Sequence, residues 1–239
     1  MDTNPLGMPQ RERSGASTFG KYEYQYHWAL CRIIDEQRNA REYALFMELH
    51  EDVVLADSLE ANTAMFEFSQ VKNIGSPKYN ITSLTKTKDG KGSVLGKLIS
   101  SVINKPFSNR LSTVNLVATC GFNIALIDNA LNLDVITVGD MSEKSIKALK
   151  LSLSEELGSD VFPDSLRFVV PSLSITNQQD SVIGKISTLI SDIFPGSHCN
   201  AEYIYRMLID ELHRKGAVTY DYAPSGIIFL KTKQSHRRK

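Results

Sequence analysis

The stretch from Glu48 to Asn73, ELHEDVVLADSLEANTAMFEFSQVKN, constrains the fold more than any other part of this chain. Residues 51–56 and 65–72 form two short runs rich in Val, Leu and Phe, and a polar break at residues 57–63 separates them. Apolar runs of this length on either side of a turn are typical of paired strands. The sequence therefore predicts two adjacent strands around which the remaining elements are arranged.

Each of these strands carries polar residues that a purely structural strand would not need. Asp52 lies in the first run, and Gln70 and Lys72 lie in the second. Because side chains alternate along a strand, Gln70 and Lys72 should project from the same face. Mg²⁺ or Mn²⁺ prefers oxygen ligands, which the Asp52 carboxylate, the Gln70 side chain and the Val71 carbonyl can provide.

Such an arrangement is suited to phosphodiester hydrolysis. A bound metal would lower the pKa of a water molecule, and Lys72 would hold that water or stabilise the negative charge of the transition state. The same spacing also fits an Asp–Lys ion pair across two strands with no catalytic role. The pattern D…Q-x-K is short, so spacing alone leaves both interpretations open.

Gln25 is a third candidate polar residue. It lies in a predicted helix, residues 22–37, near an apolar stripe that should face the sheet. Gln25 is either a hydrogen-bonded helix residue or a group that orients metal-bound water. We expect His27 and Trp28 to be packing or surface residues. The predicted apolar stripe comprises Tyr22, Tyr26, Ala29, Leu30, Ile33 and Ile34.

The remaining pattern predicts an α/β core followed by a mostly helical C-terminal portion. Further strands are predicted at 43–49, 113–120 and 166–170, and further helices at 93–104, 142–157, 180–194 and 200–215. Residues 226–230 form a small apolar run, and residues 81–91 are predicted to be a mobile basic loop. The domain prediction is a flexible lead-in (1–18), a core with the Asp…Gln-x-Lys site (19–125), the largely helical remainder of the same domain (126–216) and an extension with a basic tail (217–239).

Charge is unevenly distributed, although the formal net charge is zero. Between Lys72 and Arg110 there are eight Lys or Arg residues and one acid, and the last nine residues add five cations. Clustered cations beside a metal-type site indicate a polyanionic partner such as nucleic acid. The alternative is a solvated lysine-rich loop. The predicted DNA-binding residues are Lys78, Lys86, Lys88, Lys91 and Lys97.

Several other functional classes are excluded or disfavoured. The segment DGKGSVLGKL lacks the glycine spacing and the Ser or Thr of a phosphate-binding P-loop, and the five histidines show no zinc spacing. No G-x-S-x-G motif is present. The absence of an apolar run of about 18 residues argues against a membrane span. Three widely separated cysteines favour a reducing cytoplasm over a disulfide scaffold.

The blocks KYEYQYHWAL, ELHEDVVL, FEFSQVKN and TKTKDGKGSVLGKL together resemble a known family. They are similar to the PD-(D/E)xK-type nuclease domain of bacterial anti-phage effectors, which include CBASS effectors with a SAVED sensor domain and nucleases that work with a HerA-type ATPase. The blocks VNLVATCGFN, DSVIGKISTLISDIFP and AEYIYRMLIDELHRKG extend the resemblance to about Gly216.

This resemblance implies a restriction-endonuclease-like mixed sheet flanked by helices and metal-dependent cleavage of double-stranded DNA. It places Asp52 at the metal-binding acid, Lys72 at the catalytic lysine and Gln25 at the polar position of the first helix. Gln70 stands where the broader superfamily has Glu or Asp, which removes a negative charge from the metal site. Alternation predicts that two spare acids, Glu51 and Glu67, face away from Asp52 and Lys72.

We therefore expect an Mg²⁺- or Mn²⁺-dependent endonuclease, with a SAVED sensor or HerA-type ATPase as regulatory partner, that is cytoplasmic, homo-oligomeric and not associated with a membrane. The rival hypotheses are a non-catalytic DNA-binding module on the same fold and a subunit whose helical portion assembles a defence complex. Cleavage that depends on a divalent metal separates the first hypothesis from the other two.

Overall fold

The computed structural model describes residues 14–39, 41–60, 62–87, 90–158 and 162–218. The strands are β1 (Ala44–Leu49), β2 (Glu51–Ala56), β3 (Phe66–Lys72), β4 (Tyr79–Asn80), β5 (Leu111–Ala118), β6 (Phe122–Asn123), β7 (Val135–Thr137) and β8 (Leu166–Val169). The helices are α1 (Ser14–Arg38), α2 (Ile81–Thr85), α3 (Val94–Val102), α4 (Glu143–Leu157), α5 (Gln178–Ile193) and α6 (Ala201–Gly216).

A mixed sheet forms the centre of the fold. Its strand order is β1-β2-β3-β5-β8-β7, and β4 pairs separately with β6. The strands β1, β2 and β3 are successive antiparallel neighbours, whereas β3, β5 and β8 run parallel and β7 is antiparallel to β8. Parallel neighbours require crossover connections, which here contain the helices α2, α3 and α4.

Helices cover both faces of the sheet. One hydrophobic core contains Phe68 and Leu116 of the sheet with residues of α2, α3 and α4. The other core contains Val53, Val71 and Val117 of the same strands with residues of α1, α5 and α6. Because consecutive strand residues enter opposite cores, the central strands are apolar on both faces and need a helical layer on each side.

The predicted fold class is confirmed, and most predicted helices and strands occur close to the predicted positions. The helix α4, for example, begins after the N-cap Ser142, whose side chain accepts from the Ser145 amide. It ends at Gly158, which has a φ of 66° and so adopts a left-handed conformation that glycine tolerates without strain.

The structure also corrects the sequence predictions in detail. Residues 81–91 are not a continuous loop, since Ile81–Thr85 forms α2, with Asn80 and Ser83 making a reciprocal cap. The helix α1 begins at Ser14, inside the predicted lead-in 1–18. The short strands β4, β6 and β7 were not predicted. Residues 1–13, Lys88, the 226–230 run and the basic tail lie outside the described residues.

Two further expectations concern disulfide bonds and membrane-spanning helices. Cys31, Cys120 and Cys199 are all free thiols. Among the helices in the described ranges, none combines the length and apolar character that crossing a bilayer requires.

Candidate active site

An open cleft of about 400 Å³ lies where β2 and β3 meet the N-terminal half of α1. It brings together three of the residues singled out in the sequence, Gln25, Asp52 and Lys72, with the backbone of Val71. Its lining comprises Thr18, Lys21, Tyr22, Gln25, Glu48, Asp52, Val71, Lys72, Asn73 and Ile74.

Asp52 lies where the strands β2 and β3 separate. Regular pairing between these strands ends at Val53 and Ser69. Beyond this point Asp52 Oδ2 accepts a hydrogen bond from the Val71 amide at 2.7 Å. Since Val71 is 2% exposed, its N–H needs a protein acceptor, and the Asp52 carboxylate replaces the strand carbonyl in that role. The interaction holds the carboxylate at the cleft and leaves Oδ1 for other partners.

Gln25 reaches the backbone of the same residue, Val71, from the helix side. Its Nε2 lies 3.4 Å from the Val71 carbonyl, to which it donates. Gln25 is 8% exposed, and its Oε1 is buried with no hydrogen-bond partner. A buried amide oxygen without a partner is costly unless a donor or a cation occupies the adjacent space. Gln25 is therefore more than a satisfied helix residue.

Lys72 lies among three carboxylates, Glu48, Glu51 and Asp52. Its positive charge lowers the pKa of each of them, but burial outweighs this effect and raises all three pKa values. For Asp52, hydrogen bonds from the Val71 amide and Gln25 act in the same direction as Lys72. The charge of Asp52 raises the pKa of both Glu48 and Glu51, and a bound cation would relieve this repulsion.

Gln70 lies behind the cleft rather than in its lining. Its Nε2 donates to Glu51 Oε2 at 3.3 Å, and its Oε1 is buried without a partner. Glu51 is absent from the cleft lining and binds Gln70 behind the cleft, as alternation along β2 predicts, although the charge of Asp52 contributes to its raised pKa. Glu67 also lies away from the cleft, where it forms an ion pair with Arg32 of α1 at 3.2 Å.

The cleft also contains residues that the sequence analysis missed. Thr18, Lys21 and Tyr22 share the i, i+3, i+4, i+7 spacing of one helix face with the predicted Gln25, so the periodicity could have found these three residues. Tyr22 was instead assigned to the apolar stripe, whereas it is 50% exposed. His27 and Trp28 are buried packing residues, and His27 Nε2 lies 2.8 Å from the Tyr205 hydroxyl.

The predicted DNA-binding lysines lie elsewhere. Lys78 and Lys86 are exposed, and Lys91 and Lys97 line a second cleft of about 530 Å³ beside Glu156. There Glu156 accepts from the Ser93 amide at 2.7 Å and from the Ser93 hydroxyl at 2.6 Å, which anchors the start of α3. A Cβ at Gly96 would collide with this carboxylate, so the glycine permits the contact. None of these four lysines lines the Asp52 cleft.

The residues at the Asp52 cleft fit a hard divalent cation, although not as a cluster of acids. Within the described part of the chain, no group of three or more His, Cys, Asp and Glu side chains is placed to hold a metal. Asp52 would instead act with neutral oxygens, as Mg²⁺ sites with one or two carboxylates do. One orphaned amide oxygen, Gln25 Oε1, belongs to a residue that lines the cleft, whereas Gln70, whose Oε1 is also orphaned, lies behind it.

A comparison with protein families matches residues 13–216 to the family described as the Cap4 dsDNA endonuclease domain. The chain belongs to this family. The match spans all the strands and helices given above, from the start of α1 to the end of α6. It confirms the resemblance of the sequence blocks described above. A search of curated protein sequences found no match.

Among solved structures, the chain is similar to the Moraxella osloensis Cap4 SAVED/CARF-domain containing receptor. The two share 14% sequence identity with a TM-score of 0.45, and the match covers 83% of this chain and 43% of the receptor chain. The present chain therefore spans less than half of that receptor's length.

The carboxyl group of Glu51 predicts a response of stability to pH. Burial, assisted by Asp52, raises its pKa from 4.5 to about 7, so the folded state binds the proton more tightly than the unfolded chain. The contribution of Glu51 to stability is therefore full at low pH and is lost as the pH rises through about 7, with a total loss of about 3 kcal/mol.

Replacement by a neutral isostere, Glu51→Gln, should abolish this part of the pH dependence. The measurement is the free energy of unfolding in urea at about pH 4.5 and about pH 8, in EDTA to keep the protein free of metal. The exposed Glu60→Gln is the matched control and should behave as the wild type. Identical pH profiles for Glu51→Gln and the wild type would show that Glu51 titrates normally.

Proposed function

We propose that this domain is a metal-dependent endonuclease that cleaves double-stranded DNA in bacterial anti-phage defence. The observation that carries the proposal is the convergence of Asp52, Lys72 and the orphaned Gln25 oxygen on one cleft. Membership of the Cap4 dsDNA endonuclease domain family supports the same substrate. The proposed cofactor is Mg²⁺ or Mn²⁺.

In this proposal Asp52 holds the metal through the carboxylate oxygen that does not bind the Val71 amide. The Val71 carbonyl and the Gln25 amide oxygen are the candidate neutral ligands, whereas Gln70, the other ligand expected from the sequence, does not line the cleft. When bound, the metal lowers the pKa of water and offsets charge on the phosphate. Lys72 donates to the attacked phosphate and stabilises the negative charge that develops there. Gln25 orients the attacking water, since its amide lies beside Asp52.

We propose that DNA reaches this cleft along the basic segment between β3 and β5. The exposed lysines 78, 86, 91 and 97, with Lys88, would bind phosphates as flexible point charges and would not read bases. Lys21 in the cleft itself would contact the phosphates nearest to the metal. Control by a SAVED sensor or a HerA-type ATPase, a homo-oligomeric assembly and a cytoplasmic location are further proposals that follow from the resemblance.

Substitution of the lysine tests catalysis directly. Lys72→Ala should lower the rate of plasmid cleavage in Mg²⁺ or Mn²⁺ by a factor of about 10² to 10³, the usual effect of removing a group that stabilises transition-state charge. The fold should survive because Lys72 lies at the end of a strand. The control is Lys147→Ala, which replaces an exposed lysine of α4. Both this variant and the wild type should cleave DNA in the presence of the metal and should not cleave it in EDTA.

Cleavage by Lys72→Ala at the wild-type rate would reject the catalytic assignment of this lysine. A wild-type protein that binds DNA but does not cut it with any divalent metal would instead favour the non-catalytic DNA-binding hypothesis.

The salt dependence of DNA affinity tests the basic segment. Replacing Lys86 and Lys91 together by Ala, in the inactive Lys72→Ala background, should weaken binding to two unrelated duplexes equally. The log–log slope of affinity against salt should flatten by up to about 2, or roughly 0.9 per lost phosphate contact. Arg206 and Lys215 are exposed on α6 in the opposite helical layer, and their replacement by Ala is the matched control. An unchanged slope would mean that DNA approaches from another side.

A further inference from the structure

We propose that Glu48 supplies a second carboxylate to the metal site of Asp52, in place of the acid that Gln70 does not provide. This inference rests on the proposed function and extends it to a residue of the β1–β2 hairpin. Glu48 lines the same cleft as Asp52 and Lys72, although it lies outside the D…Q-x-K pattern.

The register of the hairpin places Glu48 beside Asp52. Met47 pairs with Val53 and Leu49 pairs with Glu51, so Glu48 and Asp52 occupy the intervening opposite positions. Residues opposite each other on antiparallel strands project to the same face, with Cβ atoms about 5 Å apart in regular sheet. Glu48 itself has a φ of 54°, a left-handed conformation unusual for a residue other than glycine. The two carboxylates therefore reach one cleft from adjacent strands.

A second and independent feature of this cleft indicates a ligand. Gln25 is more than nine-tenths buried, lines the cleft with both acids, and has a side-chain oxygen without a partner. Two carboxylates and an amide oxygen are the donor set of a hard divalent cation.

The position of Gln70 explains why a further acid is needed. Its side-chain nitrogen donates to Glu51, and Gln70 does not line the cleft. The position at which the superfamily has Glu or Asp therefore supplies neither a charge nor an exposed oxygen to the cleft. Without Glu48, Asp52 would be the only acid of the motif that faces the cleft. With Glu48, the cation receives two negative charges, and the repulsion between the two carboxylates is relieved when it binds.

Calorimetric titration of the full chain with Mn²⁺, without DNA, tests this inference. Glu48→Gln should weaken Mn²⁺ binding at least about tenfold, since even residues that only orient a ligand change affinity by 10- to 100-fold. Glu48→Asp, which keeps the charge, should retain more affinity than Glu48→Gln. The exposed Glu60→Gln, near the other end of β2, should bind as the wild type does, and thermal unfolding of each variant in EDTA verifies that it is folded.

The outcomes separate this inference from the function on which it rests. If Glu48→Gln binds Mn²⁺ as tightly as the wild type while Asp52→Asn does not bind, Glu48 is not a ligand and the nuclease site stands without it. If neither substitution changes Mn²⁺ binding, or if the wild type does not bind, the proposed metal site itself is wrong and the inference fails with it.

Discussion

The hydrogen bond from the buried Val71 amide to the Asp52 carboxylate is the interaction on which the site depends. It occurs where the β2–β3 ladder ends, so a side chain satisfies a backbone group that a neighbouring strand would otherwise serve. The Gln25 amide donates to the carbonyl of the same residue from α1. The backbone of Val71 therefore joins a strand, a helix and an acid, and its position fixes where Asp52, Gln25 and the next residue, Lys72, meet.

The global fold was largely predictable because its elements are long and strongly patterned. Apolar residues that are buried in the two cores mark the strands β2, β3 and β5, and capping residues mark the helix α4. Both kinds of signal can be seen in the sequence. The short strands β4, β6 and β7 escaped prediction because two or three residues carry no periodicity, and their pairing is decided by tertiary contacts.

The site was predictable in its residue types and less so in its geometry. Asp52, Lys72 and Gln25 meet as the pattern suggested, whereas Gln70 is held by Glu51 behind the cleft. Alternation placed Gln70 with Lys72 and Glu51 on the other side. The second placement is correct, whereas Gln70 does not share the cleft with Lys72. Glu48 was not found because it lies outside the D…Q-x-K pattern, and its place opposite Asp52 depends on the register of the β1–β2 hairpin.

We propose that the cleft around Asp52 holds the catalytic metal. Anomalous diffraction from crystals soaked in Mn²⁺ tests it most directly, because the signal locates the ion without reference to activity. We expect a peak within about 2 to 2.5 Å of an Asp52 carboxylate oxygen, in the cleft that contains Lys72. The absence of a peak there, at a Mn²⁺ concentration that supports DNA cleavage, would contradict it.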